Sequence, residues 1–274
     1  MNTVKVILML ASLTGLLILI GYGIGRGKGM VIALILAFLM NIGGYWFSDS
    51  IVLRMYNAQP VTGSEAPALY DAVASLSARA KIPAPKVYVI PNDAPNAFAT
   101  GRNENHAAVA VTSGILKMLT RDELEGVLAH ELSHIKHKDI LISTLAATVA
   151  SAVVLLSRWA VIFGGDEGST ISAIAVAVIA PIAATLIQMA ISRSREYEAD
   201  AGSAGITGRP EALAGALAKL SHAARTKPMS ANPATAHMFI VNPLSGGTIV
   251  NLFSTHPPLE KRIERLMKMK ANAG

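Results

Sequence analysis

His130-Glu131-Leu132-Ser133-His134 sets two imidazoles four residues apart, with a carboxylate beside the first. On a helix, residues four apart project from one face, one turn above the other, so both imidazoles can hold one metal ion. The pattern is HExxH, a zinc-hydrolase signature. It places Glu131 to take a proton from water at the metal and pass it to a leaving amine. The competing account is a surface helix that happens to carry two histidines.

The local sequence supplies the helix. Thr120 and Glu123 form a capping box, and Leu124, Val127, Leu128, Leu132 and Ile135 recur near the 3.6-residue period. The helix is predicted to run to about Asp139. A catalytic zinc commonly takes three protein ligands and keeps one position open, so a third must come from elsewhere. The extension HExxHxxGxxH fails, because His137 stands where Gly is needed and Ile140 where His is needed. His137, flanked by Lys136 and Lys138, is better suited to complementing the helix dipole.

The stronger candidate is the run Ser192-Arg193-Ser194-Arg195-Glu196-Tyr197-Glu198-Ala199-Asp200. Glu196 and Asp200 share a helical face, so Glu196 can ligate the metal while Asp200 orients a histidine from behind; Glu198 points elsewhere. Taken alone, this run is a solvated charge cluster. Placement favours the ligand reading, since His134 lies six residues before one long apolar run and Glu196 five after the next. Both would then stand roughly 8 to 9 Å from a membrane face, at about 1.5 Å per helical residue.

Composition points to a membrane protein. Hydrophobic residues make up 52% of 274 and charged residues 15%, with mean hydropathy +0.45. The net charge of +6 is scattered and aromatic content is 5%, which suits contact with anionic lipid and argues against nucleic acid. There is no cysteine, so only His and carboxylates can hold a metal.

Four apolar runs are predicted to span the bilayer: 4–25, 30–47, 140–163 and 171–191. The first could be a signal peptide, but it is long, lacks a clear cleavage site and is followed at once by the second. Tyr45, Trp46 and Phe47 would form an interfacial belt. The last two runs are rich in Ala and could instead be a buried helical hairpin. Residues 1–48 thus form one transmembrane hairpin and 140–191 a second. Residues 49–139 and 192–274 form the polar domain. Lys5, Arg54, Lys136, Lys138, Arg193 and Arg195 on its side, against Arg26 and Lys28 on the other, direct it to the cytoplasm.

Within that domain, Pro67–Ala80 is predicted as an amphipathic helix, and Val87–Ile90 and Ala107–Thr112 as short strands. Asn96–Gly101 is a strand or loop between them. Arg209–Thr226 and Pro257–Lys270 are predicted helices, and residues 227–248 a long mobile loop near the substrate path. The fold class expected is mainly α with a small β-sheet.

His130-Glu131-Leu132-Ser133-His134, Arg195-Glu196-Tyr197-Glu198-Ala199-Asp200, Asn96-Ala97-Phe98-Ala99 and Thr255-His256-Pro257-Pro258-Leu259-Glu260-Lys261-Arg262, together with the hydrophobic layout, resemble the HtpX family of bacterial membrane zinc endopeptidases. That family is related to the CAAX prenyl-protein endopeptidase. The resemblance implies an integral membrane gluzincin-type metalloprotease of the bacterial inner membrane, multi-pass, its protease domain facing the cytoplasm. It also implies degradation of misfolded or damaged membrane proteins in stress-linked quality control. Carried over, His130, His134 and Glu196 bind one Zn2+ and Glu131 is catalytic. Asn96, Ala97, Phe98 and Ala99 lie in the substrate-binding strand, and His256 stands near the active site, stabilising an oxyanion or positioning substrate; as a lone loop histidine it could equally just start the helix before Pro257. Expected partners are misfolded membrane or cytoplasmic proteins, the lipid bilayer and the chain itself through self-cleavage, with no nucleic acid. Two other accounts stay open: a membrane-anchored zinc-binding scaffold without turnover, and a periplasmic protease with a cleaved leader.

Overall fold

The computed structural model describes residues 2–145, 193–226, 229, 231–232, 235–241 and 257–273. In chain order the elements are α1 (Asn2–Met55), β1 (Gln59–Pro60), α2 (Pro67–Ala80), β2 (Lys86–Ile90), β3 (Ala97–Asn103), β4 (His106–Thr112), α3 (Ser113–Met118) and α4 (Arg121–Lys136). They continue with α5 (Arg193–Thr207), α6 (Pro210–Thr226), a 3-10 turn (Ala236–Met238) and α7 (Leu259–Ala273). The fold is mainly helical with one small sheet. The spans predicted at 140–163, beyond residue 145, and at 171–191 lie outside the described residues, as does His256.

Helical geometry is continuous through α1, yet the chain reverses inside it. Asn41 Nδ2 donates to Thr14 Oγ1 at 3.0 Å, whereas 27 residues of straight helix would separate them by roughly 40 Å. The turn lies at Arg26, whose φ of 49° is left-handed, between Gly25 and Gly27. The chain therefore folds back on itself within α1. Arg26–Phe47 is long and apolar enough to cross a membrane, and Val31, Ile32, Leu34, Ile35, Phe38 and Leu39 on it are exposed. The helix also outruns the predicted end at Phe47. It continues to Met55 because Val52, Leu53 and Tyr56 find an apolar surface to bury against.

That surface is one face of a sheet ordered β1-β2-β4-β3. β2 and β4 are parallel, in register from Lys86↔Ala108 to Ile90↔Thr112; β3 pairs antiparallel with β4 and forms an edge. Alternation divides the side chains. Phe98, Ala108 and Ala110 face α1, while Ala97, Ala99, Val109 and Val111 face the core made by α2, α4, α6 and α7. β3 bends at Gly101, where φ is 139° and an added Cβ would sit 2.3 Å from the His106 carbonyl oxygen.

The helix α4 is the axis of the domain. Its predicted capping box is present, with Thr120 N–H donating to Glu123 Oε2 at 2.8 Å and Glu123 N–H to Thr120 Oγ1 at 3.4 Å. It stops at Lys136, short of Asp139, because Lys138 turns left-handed with φ 61°. That turn returns the Asp139 N–H to the His134 carbonyl at 2.9 Å. Against α4 lies α5, at a separation set by Gly202: a Cβ there would lie 2.0 Å from Ser133 Oγ. The segment around 235–241, predicted as mobile loop, is instead packed down, with Met238, Phe239, Ile240 and Val241 all buried.

Candidate active site and metal centre

The two histidines of α4 and Glu196 of α5 meet at one point. His130 Nε2 and His134 Nε2 are 3.2 Å apart, His134 Nε2 is 3.5 Å from Glu196 Oε1, and His130 Nε2 is 3.8 Å from Glu196 Oε2. A tetrahedral zinc with bonds of about 2.0–2.1 Å spaces its ligand atoms by about 3.3–3.4 Å. The donor set therefore fits one ion. His137, at the C-cap of α4, instead has its Nδ1 3.3 Å from Ser133 Oγ, one turn back on the same helix.

Each imidazole is backed by a carboxylate. Asp200 Oδ1 lies 3.0 Å from His130 Nδ1, and Asp139 Oδ2 lies 3.3 Å from His134 Nδ1. Both Nδ1 atoms thus face carboxylate oxygens, an arrangement that, with the ring proton on Nδ1, leaves each Nε2 to face the shared point as a ligand. The two Nε2 atoms, 3.2 Å apart, are spaced to share one cation. Charge agrees. Glu131, Asp139, Glu196 and Asp200 are buried beside Arg195 and Arg262, a surplus of carboxylates over guanidiniums that suits a cation.

Arg262, on α7, is fully buried. It donates to both oxygens of Asp200, from Nε at 2.9 Å and Nη2 at 2.7 Å, and its Nη1 reaches the Ile240 carbonyl at 3.2 Å. Its Nη1 also lies 3.4 Å from Glu196 Oε2. Such a bidentate clamp fixes Asp200, and through it the His130 ring.

The electrostatics differ along the site. Burial pushes His130 down to about 4, against the opposing pull of Asp200. For His134 burial acts the same way, but hydrogen bonds to Asp139 and Glu196 outweigh it and lift the group to about 10. Burial raises Glu131 to about 7, the charge of Glu196 adding to it, while a hydrogen bond from the Ala99 N–H and the neighbouring His134 and Arg262 oppose it. A carboxyl titrating near neutrality is suited to exchange protons at working pH.

A cavity of about 30 Å3 adjoins the ligands, bounded by Ala99 on one side and His237–Ile240 on the other, room for one or two waters. The edge of β3 away from β4 faces it. Asn96 O accepts from Thr112 N–H across the ladder, so the groups of Ala97, Ala99 and Gly101 point outward. Ala97 O accepts from Ile240 N–H at 3.0 Å, and Gly101 N–H donates to Thr144 Oγ1 at 3.4 Å. Between them Ala99 borders the cavity. Asn96 is buried, its Nδ2 donating to the Val241 carbonyl at 2.9 Å, and Phe98 turns to the other face against Tyr56 and Phe239.

The structure thus brings together His130, His134, Glu131, Glu196, Asp200 and Ala99. Two participants had no assigned role in the sequence, Arg262 and Asp139. A signal for Arg262 was present: it falls in the register of Leu259 and Leu266, on the apolar stripe of α7, where a charge must have a buried partner.

Residues 64–270 match peptidase family M48. Curated relatives described as protease HtpX homologs are 55% identical in Desulforapulum autotrophicum, covering 97% of this chain and 89% of the relative. A second, from Paraburkholderia phytofirmans, is 56% identical over 98% of this chain and 97% of its own length, and a third, from Pyrococcus furiosus, 55% over 97% and 96%. The crystal structure of S. mikatae Ste24p aligns with a TM-score of 0.54 at 16% identity, covering 97% of this chain and 65% of that one, a likeness of fold. The chain therefore belongs to peptidase family M48, among the HtpX proteases, and is a zinc metalloendopeptidase.

Proposed function

We propose that the chain is a multi-pass protease of the bacterial inner membrane, its domain facing the cytoplasm, that hydrolyses peptide bonds in misfolded or damaged membrane proteins. The observation that carries the chemistry is the convergence of His130, His134 and Glu196 beside Glu131 and the outer edge of β3. Zinc held there would supply Lewis acidity, polarising the scissile carbonyl and lowering the pKa of water toward roughly 7.

The chain's own groups do the rest. Glu131 accepts the proton of the attacking water and delivers it to the leaving amine nitrogen. Asp200, clamped by Arg262, holds His130 in orientation. An extended substrate pairs with the outward carbonyl at Ala99, a backbone contact that tolerates many sequences and so suits quality control. Asn96, Ala97 and Phe98 shape and brace that edge, and His256 would assist at the oxyanion. Four spans, at 4–25, 30–47, 140–163 and 171–191, carry the domain; the exposed apolar surface of Arg26–Phe47 supports the first pair. Self-cleavage is a further expected activity.

The test is Glu131→Gln in full-length, detergent-purified protein. Cleavage of casein should fall by about 10²–10⁴-fold while zinc content stays at one per chain, and wild-type cleavage should stop on chelation. Turnover retained by Glu131→Gln, or insensitive to chelator, contradicts the mechanism.

A further inference from the structure

We infer that Asp139 is the positioning residue of His134 and that Arg195 fixes it, so that the base of the 140–191 segment helps to set the metal centre. This rests on the reading that His130, His134 and Glu196 hold zinc. The geometry is a relay. One oxygen of Asp139 lies 3.3 Å from His134 Nδ1 and the other 3.3 Å from Arg195 Nη1. Asp139 is 4% exposed and Arg195 9%, so the contact is shielded from the water that weakens surface pairs.

The backbone makes the relay local. The left-handed Lys138 folds the chain back under the last turn of α4, and the Asp139 N–H donates to the His134 carbonyl at 2.9 Å. Asp139 therefore cannot move without moving the residue whose ring it supports. Its own carbonyl accepts from Ser143 N–H at 3.2 Å, starting the next turn, in which Ile140, Ile142 and Leu145 are buried. On the opposite helix Arg195 directly precedes Glu196. One carboxylate thus ties the strand of chain entering the 140–191 segment to the strand leaving it, at the level of two zinc ligands.

The two imidazole supports are unequal. Asp200 is gripped twice by Arg262, at 2.7 and 2.9 Å, inside the domain core. Asp139 has longer single contacts at the margin. His134 therefore has the weaker of the two supports.

The experiment measures zinc affinity of full-length, detergent-purified protein by competition with a chromophoric chelator, and records the visible spectrum after cobalt substitution. Asp139→Ala should weaken zinc binding by about 10–100-fold. Asp139→Asn, which keeps an acceptor for the Nδ1 proton but loses the charge, should fall between it and the wild type. Both should shift the cobalt bands, and the unfolding midpoint of the chelated, metal-free protein should change little. If Asp139→Ala fails to fold, the Asn variant alone decides. Wild-type zinc affinity and an unchanged cobalt spectrum in Asp139→Asn overturn the inference. So does a loss of affinity matched by a fall in the metal-free midpoint, which would mark a helix staple. A wild-type protein that binds no zinc overturns the metal-centre reading itself, a separate result.

Discussion

The two faces of the four-stranded sheet do opposite work with neighbouring residues. Phe98 points to the face that packs on α1, into a cluster with Tyr56 and Phe239, ring centroids 6.0 and 5.2 Å away. Ala99, the next residue, borders the cavity and donates its N–H to Glu131. The first face gains free energy by excluding water from apolar surface; the second also packs an apolar core, but the helices on its side carry buried charges that cost free energy and are useful only to a cation and a substrate. Substitutions on the two sides should therefore separate stability from chemistry.

The largest effect is expected on the apolar face. Phe98→Ala should destabilise the fold by about 3–5 kcal/mol, read by denaturant unfolding in detergent, while the folded fraction keeps its zinc stoichiometry. On the charged side the sign reverses. Glu131 is protonated more readily in the folded chain, its pKa raised from 4.5 to about 7. It therefore lowers stability as pH rises between those values, by up to roughly 3 kcal/mol above pH 7. Glu131→Gln should stabilise the metal-free protein at pH 8 and do nothing of the kind at pH 4, as thermal midpoints at both pH values would reveal.

Gly202→Ala probes the contact between the ligand-bearing helices. Its Cβ would meet Ser133 Oγ at 2.0 Å, so a loss of about 1–3 kcal/mol is expected, with reduced zinc affinity and with recovery in the Gly202→Ala, Ser133→Gly double variant. Failure of the double variant to recover would place the strain elsewhere. Smallest is Thr120→Ala, which removes the cap of α4 at about 1 kcal/mol and should lower the midpoint without changing zinc affinity.

How much was legible depended on the range of each interaction. The HExxH pair, the capping box and the Glu196–Asp200 spacing are local to single helices, so period and spacing revealed them; α2 was found with its observed bounds, Pro67–Ala80. The reversal at Arg26 was legible as a polar break between apolar runs. The extension of α1 to Met55 was not, because it depends on a sheet surface that forms from residues far along the chain. The parallel pairing of β2 with β4, the two-residue β1 and the burial of Phe239 are likewise settled by tertiary contact against weak local preference. Asp139 read as a helix end. Its role emerges only once the left-handed Lys138 folds it beneath His134.

The most direct test of the metal centre is the zinc content of detergent-purified full-length protein beside its Glu196→Ala variant, determined by elemental analysis after removal of loosely bound metal. One zinc per chain in the wild type, and its loss in the variant together with casein cleavage, is the predicted result. Full zinc retention in a folded Glu196→Ala protein would contradict the two-helix, three-ligand centre on which the proposed chemistry stands.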